Sequence, residues 1–292
     1  MRIKKIAKDK KRLVENFLSL SALQVATYLF PLITLPYLVK VIGSAKYGVV
    51  AFAWSFNMFF QILIDFGFDL SATKDLSIYR DNKQKISELF SSVMVIKLIL
   101  TLTSFIILIT VILLIPKFRD EKTIHIYSFL MIVGLSLFPA WFFQGLEKMK
   151  YITVLNILMK TIFLILIFIF IKKESDYVYI PLLSAIGEFV ALFVAFYEIF
   201  KRFKIKFYFP KYSTLIFYFK GSLQFFLSRI SVSFFNSSSV FVLGFFVQEN
   251  VLGCFAISQK LYGMLKSSYQ PIVRTLYPYI AHKRNVLFFQ YY

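Results

Sequence analysis

The 292-residue sequence has one cysteine, Cys254, and two histidines, His125 and His282. A single cysteine excludes a disulfide scaffold. Two histidines, each at the end of an apolar run, support neither a histidine-based metal site nor a Ser-His-Asp triad. Both are expected at a membrane interface. No Gly-rich loop leading into Lys and Ser or Thr occurs, so the chain carries no phosphate-cradling ATPase motif. Glycine (10) and proline (8) are scarce, and no stretch reads as a soluble linker. Charged residues make up 17% of the chain, against roughly 25% in soluble domains. Acidic residues number only 15. No catalytic residue, metal or cofactor is expected, and the chain does not read as an enzyme.

What is present is apolar and cationic. The chain is 59% hydrophobic and 20% aromatic, with a mean hydropathy of +0.71. That excludes disorder and disfavours a soluble fold. Yet 34 Lys and Arg give a net charge of +19. A pI near 9.8 would suit nucleic acid in a polar chain. In a chain this apolar, membrane topology explains it better, and no nucleic-acid partner is expected. Cys254, beside Phe255 in an apolar run, is expected to pack. The 37 Phe and 18 Tyr are expected mostly against lipid and in interfacial belts.

A membrane helix needs about 20 mostly apolar residues. The sequence predicts eight, over 17–42, 48–68, 89–116, 125–144, 151–171, 178–200, 223–247 and 251–272. Val286 to Tyr292 reads as the start of a ninth. Runs such as Leu98 to Ile115 do not alternate, which favours helices over barrel strands. The first span holds Pro31 and Pro36 and lacks a small-residue cleavage site, so it reads as an uncleaved span. Loop 69–88 has room for a short interfacial helix. Loop 201–222, with six cations among Phe and Tyr, reads as an amphipathic membrane-surface segment. It also divides the chain into a six-helix lobe, 1–222, and the first part of a second lobe, 223–292.

Twenty-one Lys and Arg fall in the N-terminal tail and on its side of the predicted membrane, against seven on the opposite side. The positive-inside rule then places the N-terminus in the cytoplasm. The remaining six, Lys97, Lys160, Arg229, Lys260, Lys266 and Arg274, fall inside or near the ends of predicted spans.

An intramembrane charge costs about 2.5–3.5 kcal/mol on insertion scales. The polar residues also share helix faces, by spacings of three, four and seven. The stripes are Asn57, Gln61 and Asp65; Lys97, Thr101 and Ser104; Thr153, Asn156 and Lys160; Ser184 and Glu188; and Arg229, Ser233 and Asn236. Gln24, Thr27, Tyr28 and Pro31 add a sixth in the first span. Together they suggest a shared hydrated interior. At 1.5 Å per residue, Lys97, Lys160 and Glu188 lie roughly 12–15 Å deep, near the midplane of a core about 30 Å thick. Glu188 can pair with Lys97 or Lys160. Two readings stand: a buried ion pair that fixes packing, or a proton-sensitive lumen charge. Lys266 and Arg274 also suit anchoring at headgroups. Six cations against two buried carboxylates suit an anionic group better than a cationic substrate.

Four segments carry a family resemblance: PLITLPYLVKVIGSAKYGVVAFAWS (31–55), ILIDFGFDLSATKDLSIYRDN (62–82), FPAWFFQGLEKMKYITVLN (138–156) and the stretch 228–281, which opens SRISVSFFNSSSVFVLGFF. With their spacing they resemble the bacterial polysaccharide-unit exporters, the O-antigen flippases of Wzx type. These belong to the superfamily of multidrug and oligosaccharidyl-lipid exporters. The resemblance implies an all-α polytopic membrane protein with two six-helix lobes around a central cleft, in the bacterial inner membrane. The substrate would be an oligosaccharide on undecaprenyl diphosphate, moved to the periplasmic leaflet by alternating access. Membrane lipid and the polysaccharide polymerase machinery are the other implied partners. Carried onto this chain, the resemblance nominates Arg229, Lys260, Lys266 and Arg274 to hold the diphosphate. Asp65 and Glu188 would respond to protons or pair with cations. Asn57, Gln61, Lys97, Lys160 and Asn236 would complete the lumen.

The family has about twelve spans, so a chain ending at its ninth is expected to be C-terminally truncated. The alternatives are a cation or drug antiporter of the same superfamily, and a non-functional truncated fragment.

Overall fold

The computed structural model describes residues 2–266, with side chains from residue 15 onward except Phe17, Leu20 and 231–237. Among the described residues the chain is helical between turns and irregular links, with no strand. The helices are α1 (Arg2–Asp65), α2 (Phe68–Tyr79), α3 (Lys83–Leu114), α4 (Pro116–Asp120) and α5 (Lys122–Leu137). There follow α6 (Ala140–Gly145), α7 (Met149–Phe170), a 3-10 turn (Glu174–Tyr179), α8 (Ile180–Tyr197) and α9 (Tyr212–Phe246). A last helix, α10, runs over 249–266. Among the described residues, five helical stretches are long and apolar enough to cross a membrane: Ser21–Tyr79, Lys83–Leu114, Lys122–Gly145, Met149–Phe170 and Glu174–Arg202.

Helix α1 cannot be one rod. A straight helix of 64 residues would be about 96 Å long, three times the hydrocarbon core. Gly43 breaks α1 with φ 75° and ψ 167°, a left-handed φ that a side chain would resist. The two halves then wall one cavity together, with Thr27, Pro31 and Thr34 on one half and Tyr47, Val50 and Trp54 on the other. A second turn, at Phe66 (φ 43°) and Gly67 (φ 73°), starts α2 within loop 69–88. Asn82 caps α3, its Oδ1 accepting from the Gln84 and Lys85 amides at 3.1 and 3.0 Å.

The expected fourth span, 125–144, is two helices. Phe138 is extended (φ −61°, ψ 121°) ahead of Pro139, whose ring disfavours a helical predecessor. The short α6 beyond it carries the core of the AWFFQG segment. Trp141, Phe142 and Phe143 are almost fully buried there, against Phe90, Tyr151 and Phe203. Within 201–222, residues 203–211 are irregular and α9 starts at Tyr212, well before the expected 223. Pro210 lacks the amide a helix needs. The free amides of Lys206 and Tyr208 donate instead to Ser87 Oγ and Ser91 Oγ on α3, at 3.2 and 3.0 Å.

Large apolar side chains face outward, as a lipid-facing surface requires. On α3, Leu98, Leu102, Ile106 and Leu113 are each about half exposed or more. In water such a stripe would be a liability. Inward, two apolar clusters form. One gathers Phe52, Phe56, Phe118 and Ile124, and the other Phe90, Phe142, Leu192 and Ile199. In lipid this packing is held by close contact rather than by escape from water, so small residues matter.

Candidate functional site

Glu188 is placed by two glycines. A Cβ on Gly187 would lie 2.6 Å from the Met159 carbonyl oxygen, so α8 and α7 meet backbone to backbone. A Cβ on Gly134 would lie 2.7 Å from Glu188 Cβ, so α5 makes room for the glutamate stem. Ala191 and Ala195 continue the buried small face of α8. The close contacts at Gly187 and Gly134 set the register of Glu188.

Glu188 opens on a cavity of about 470 Å³. Ligand pockets commonly span about 300–1,000 Å³. Its walls are both halves of α1, with α5, α7, α8 and α10. Asn156 and Lys160 come from α7, Ser184 and Glu188 from α8, Ser128 from α5 and Lys260 from α10. The α7 and α8 pairs each keep helical spacing and, with Thr27, Tyr28 and Pro31 of α1, turn to one space, whereas the stripes of Asn57, Lys97 and Arg229 do not line it. Glu188 Oε2 is buried and accepts no hydrogen bond among the described residues. Lys160 is close enough for electrostatic attraction to Glu188, and Lys260 and Lys160 repel each other across the same space. Two cations and one carboxylate leave the cavity cationic. Lys260 Nζ sits over the Trp54 ring, 5.3 Å from its centroid.

A second charge cluster lies apart from this cavity. Lys97 Nζ donates to Asp65 Oδ1 at 2.9 Å and to the Ser136 carbonyl at 2.6 Å. Its side chain is only 2% exposed. Arg229, on α9, pairs with Asp69 at the start of α2. Asp65 also lies within electrostatic reach of Asp69 and Arg229. Of the two partners open to Glu188, Lys97 is therefore taken by Asp65, and Lys160 is the one that faces it.

The remaining candidates are distributed as follows. Asn57 is fully buried, and its amide donates to the Ala53 and His125 carbonyls at 2.8 and 3.5 Å. Gln61 Oε1 is buried without a partner among the described residues, away from the cavity wall. Thr153 donates to the Ser19 carbonyl at 2.8 Å and ties α7 to α1. Lys266 is exposed. Arg274 and the C-terminal run from 286 lie outside the described residues, as does the Asn236 side chain.

One expectation is corrected, and one residue gains an environment. His125, in the first turn of α5, is 1% exposed, enclosed by the rings of Phe52, Phe56 and Phe118. The apolar run ahead of it folds back through α4, which carries Phe118 over the histidine. Cys254 is exposed rather than packed, because α10 turns Gly253 inward instead. Sequence reasoning also missed Trp54 as a cavity residue. The available signal was a tryptophan inside the span 48–68 rather than at its end, short of where interfacial anchoring explains it. Among the described residues no three His, Cys, Asp or Glu side chains converge as metal ligands.

The chain is similar to a protein named Putative O-antigen transporter in Escherichia coli (strain K12), 29% identical over 278 residues. The alignment covers 94% of this chain and 66% of that protein. A protein of the same name in Shigella dysenteriae is 28% identical over 275 residues, covering 91% of this chain and 67% of its own length. The chain thus spans about two thirds of the length of these relatives. No solved structure gives a significant match. The model of the family described as Polysaccharide biosynthesis protein matches residues 13–283. With five helices able to cross a membrane, this makes a multi-pass membrane protein. The family match takes in all four segments that carry the sequence resemblance, and the chain belongs to the polysaccharide biosynthesis protein family.

Proposed function

We propose that this chain acts in the transport of polysaccharide units, as a flippase for oligosaccharides linked to undecaprenyl diphosphate. The two relatives named as O-antigen transporters support that reading. The observation that carries it is the cationic cavity, with Lys160 and Lys260 facing one space against a single carboxylate, Glu188. Such a balance attracts a diphosphate and repels a cationic drug. Asn156 and Ser184 on the same wall supply hydrogen bonds for sugar hydroxyls. No chemical bond changes. The task is to lower the barrier for a charged, hydroxylated headgroup while the polyprenyl tail stays in lipid.

In this reading the N-terminus is cytoplasmic and the protein lies in the bacterial inner membrane. Residues 1–222 form a first lobe, and 223–292 begin a second. Transport proceeds by alternating access, with the cavity between lobes as the exchanged compartment. Arg229 and Asp69 then act as a contact between lobes rather than as a diphosphate clamp.

Removing the cavity cations tests this. Lys160→Met with Lys260→Met is expected to lower O-unit export by at least about tenfold, the equivalent of roughly 1.4 kcal/mol. The assay is complementation in a strain lacking its own flippase, at matched protein level. Lys266→Met, on an exposed cation, is expected to export normally. Undiminished export by the double variant would remove the cavity from the account.

A further inference from the structure

Trp54 lies on the second half of α1, eleven residues past the Gly43 break. It is also six residues into the predicted span 48–68, about 9 Å inside the end of that span. Tryptophan normally gathers at membrane interfaces, where its N–H meets water. This indole is turned to a cavity instead. It is 41% exposed, and it lines the cavity. The other tryptophan, Trp141, is 2% exposed within the aromatic core.

The other aromatic groups on the wall are less available. Tyr47 is 6% exposed. The Tyr28 hydroxyl accepts from Gln24 Nε2 at 3.1 Å. Trp54, at 41%, is the exposed aromatic side chain of the described wall, where Phe30 and Phe163 are partly buried, and Lys260 Nζ sits on its ring face at 5.3 Å. The face of an indole is electronegative and attracts positive partners. An ammonium is one such partner. The C–H face of a pyranose, whose hydrogens carry partial positive charge, is another. Both compete for the same surface.

We propose that Trp54 is the sugar-positioning residue of this cavity. Its indole face stacks on the sugar that adjoins the diphosphate, while Lys260 turns from the ring to the phosphate oxygens. The cation–π contact is weak enough for a phosphate anion to displace. Lys260 and Trp54 then exchange one contact for two. The pair reads headgroups that carry a pyranose next to a phosphate, and discriminates against the bare polyprenyl diphosphate. This rests on the transport reading above and specifies what that site selects.

The test is equilibrium binding to the purified protein in nanodiscs, with two probes: polyprenyl diphosphate, and the same lipid carrying a trisaccharide. Trp54→Ala is expected to lower affinity for the glycan probe by about tenfold and leave the sugar-free probe within about twofold. Trp54→Phe, which keeps a ring, is expected to recover most of the loss. Trp54→Leu, closer in volume, replaces the alanine variant if thermal unfolding shows that variant destabilised. Equal loss of both probes, or loss of neither, overturns the assignment. If neither probe binds the wild-type protein, the transport reading fails, and this assignment falls with it. Failure of Trp54 alone leaves the wild type binding both.

Discussion

Replacing Asp65 by alanine is expected to cost about 3–5 kcal/mol of stability, the penalty for leaving one member of a buried ion pair alone. Lys97 carries the penalty. Its side chain is 2% exposed, and Asp65 Oδ1 at 2.9 Å is the one carboxylate it meets among the described residues. The Ser136 carbonyl at 2.6 Å cannot neutralise an ammonium. Lys97→Ala should cost less, because Asp65 is 21% exposed and lies near Arg229. The double change Asp65→Leu with Lys97→Met removes both charges and is expected to recover most of the loss. Thermal unfolding in detergent reads all three. A double variant as unstable as Asp65→Ala would mean that the charges are not what the single change exposes.

The second large effect is expected at Gly253. A Cβ there would stand 1.8 Å from the Ser44 carbonyl oxygen, and one on Gly48 would stand 2.2 Å from the Glu249 carbonyl oxygen. No rotamer relieves a clash between a Cβ and backbone. In Gly253→Ala, α10 must part from the second half of α1. Lys260 sits two turns further along α10, so it is carried off Trp54 and out of the cavity wall. Export is expected to fall by roughly tenfold or more, comparable to losing about 1.4 kcal/mol at the rate-limiting step. The contact itself can be followed by a disulfide. Ser44 and Asn250 side chains touch across this seam, and a Ser44→Cys, Asn250→Cys pair should cross-link readily. The exposed Cys254 is first replaced by serine. Gly253→Ala is expected to cut the cross-linking yield to less than half. Gly221→Ala, where a Cβ meets nothing within 4 Å, is the control and should change neither reading. Normal cross-linking in Gly253→Ala would contradict the seam.

How far the sequence reached depends on the kind of signal. Helical spacing within one span was legible. Asn156 and Lys160, and Ser184 and Glu188, were each placed on one face, and each pair does open on the cavity. Spacing says which residues share a face but not which face of another helix they meet. Arg229 illustrates this. Its stripe put it in the lumen with Lys260, whereas the turn at Phe66 and Gly67 brings Asp69 to it instead. The Lys97 partner was missed for the same reason. Asp65 ends α1 and Lys97 lies mid-α3, and only packing joins them. Trp54 was hidden by composition: among so many aromatic residues, lipid-facing rings are the ordinary expectation. Pro139 was legible in principle, because a residue before proline resists the helix, but the apolar run masked the break.

The central claim is that the Lys160, Glu188 and Lys260 cavity carries the charged headgroup of a polyprenyl-linked glycan across the membrane. The most direct measurement is leaflet exchange in proteoliposomes holding the purified protein and a fluorescent lipid-linked trisaccharide. Externally added enzyme that cuts the glycan reports how much substrate reaches the outer leaflet. The account predicts protein-dependent exchange that the Lys160→Met, Lys260→Met variant loses by at least about tenfold. Exchange no faster than in empty liposomes, or equally fast in that variant, would contradict it.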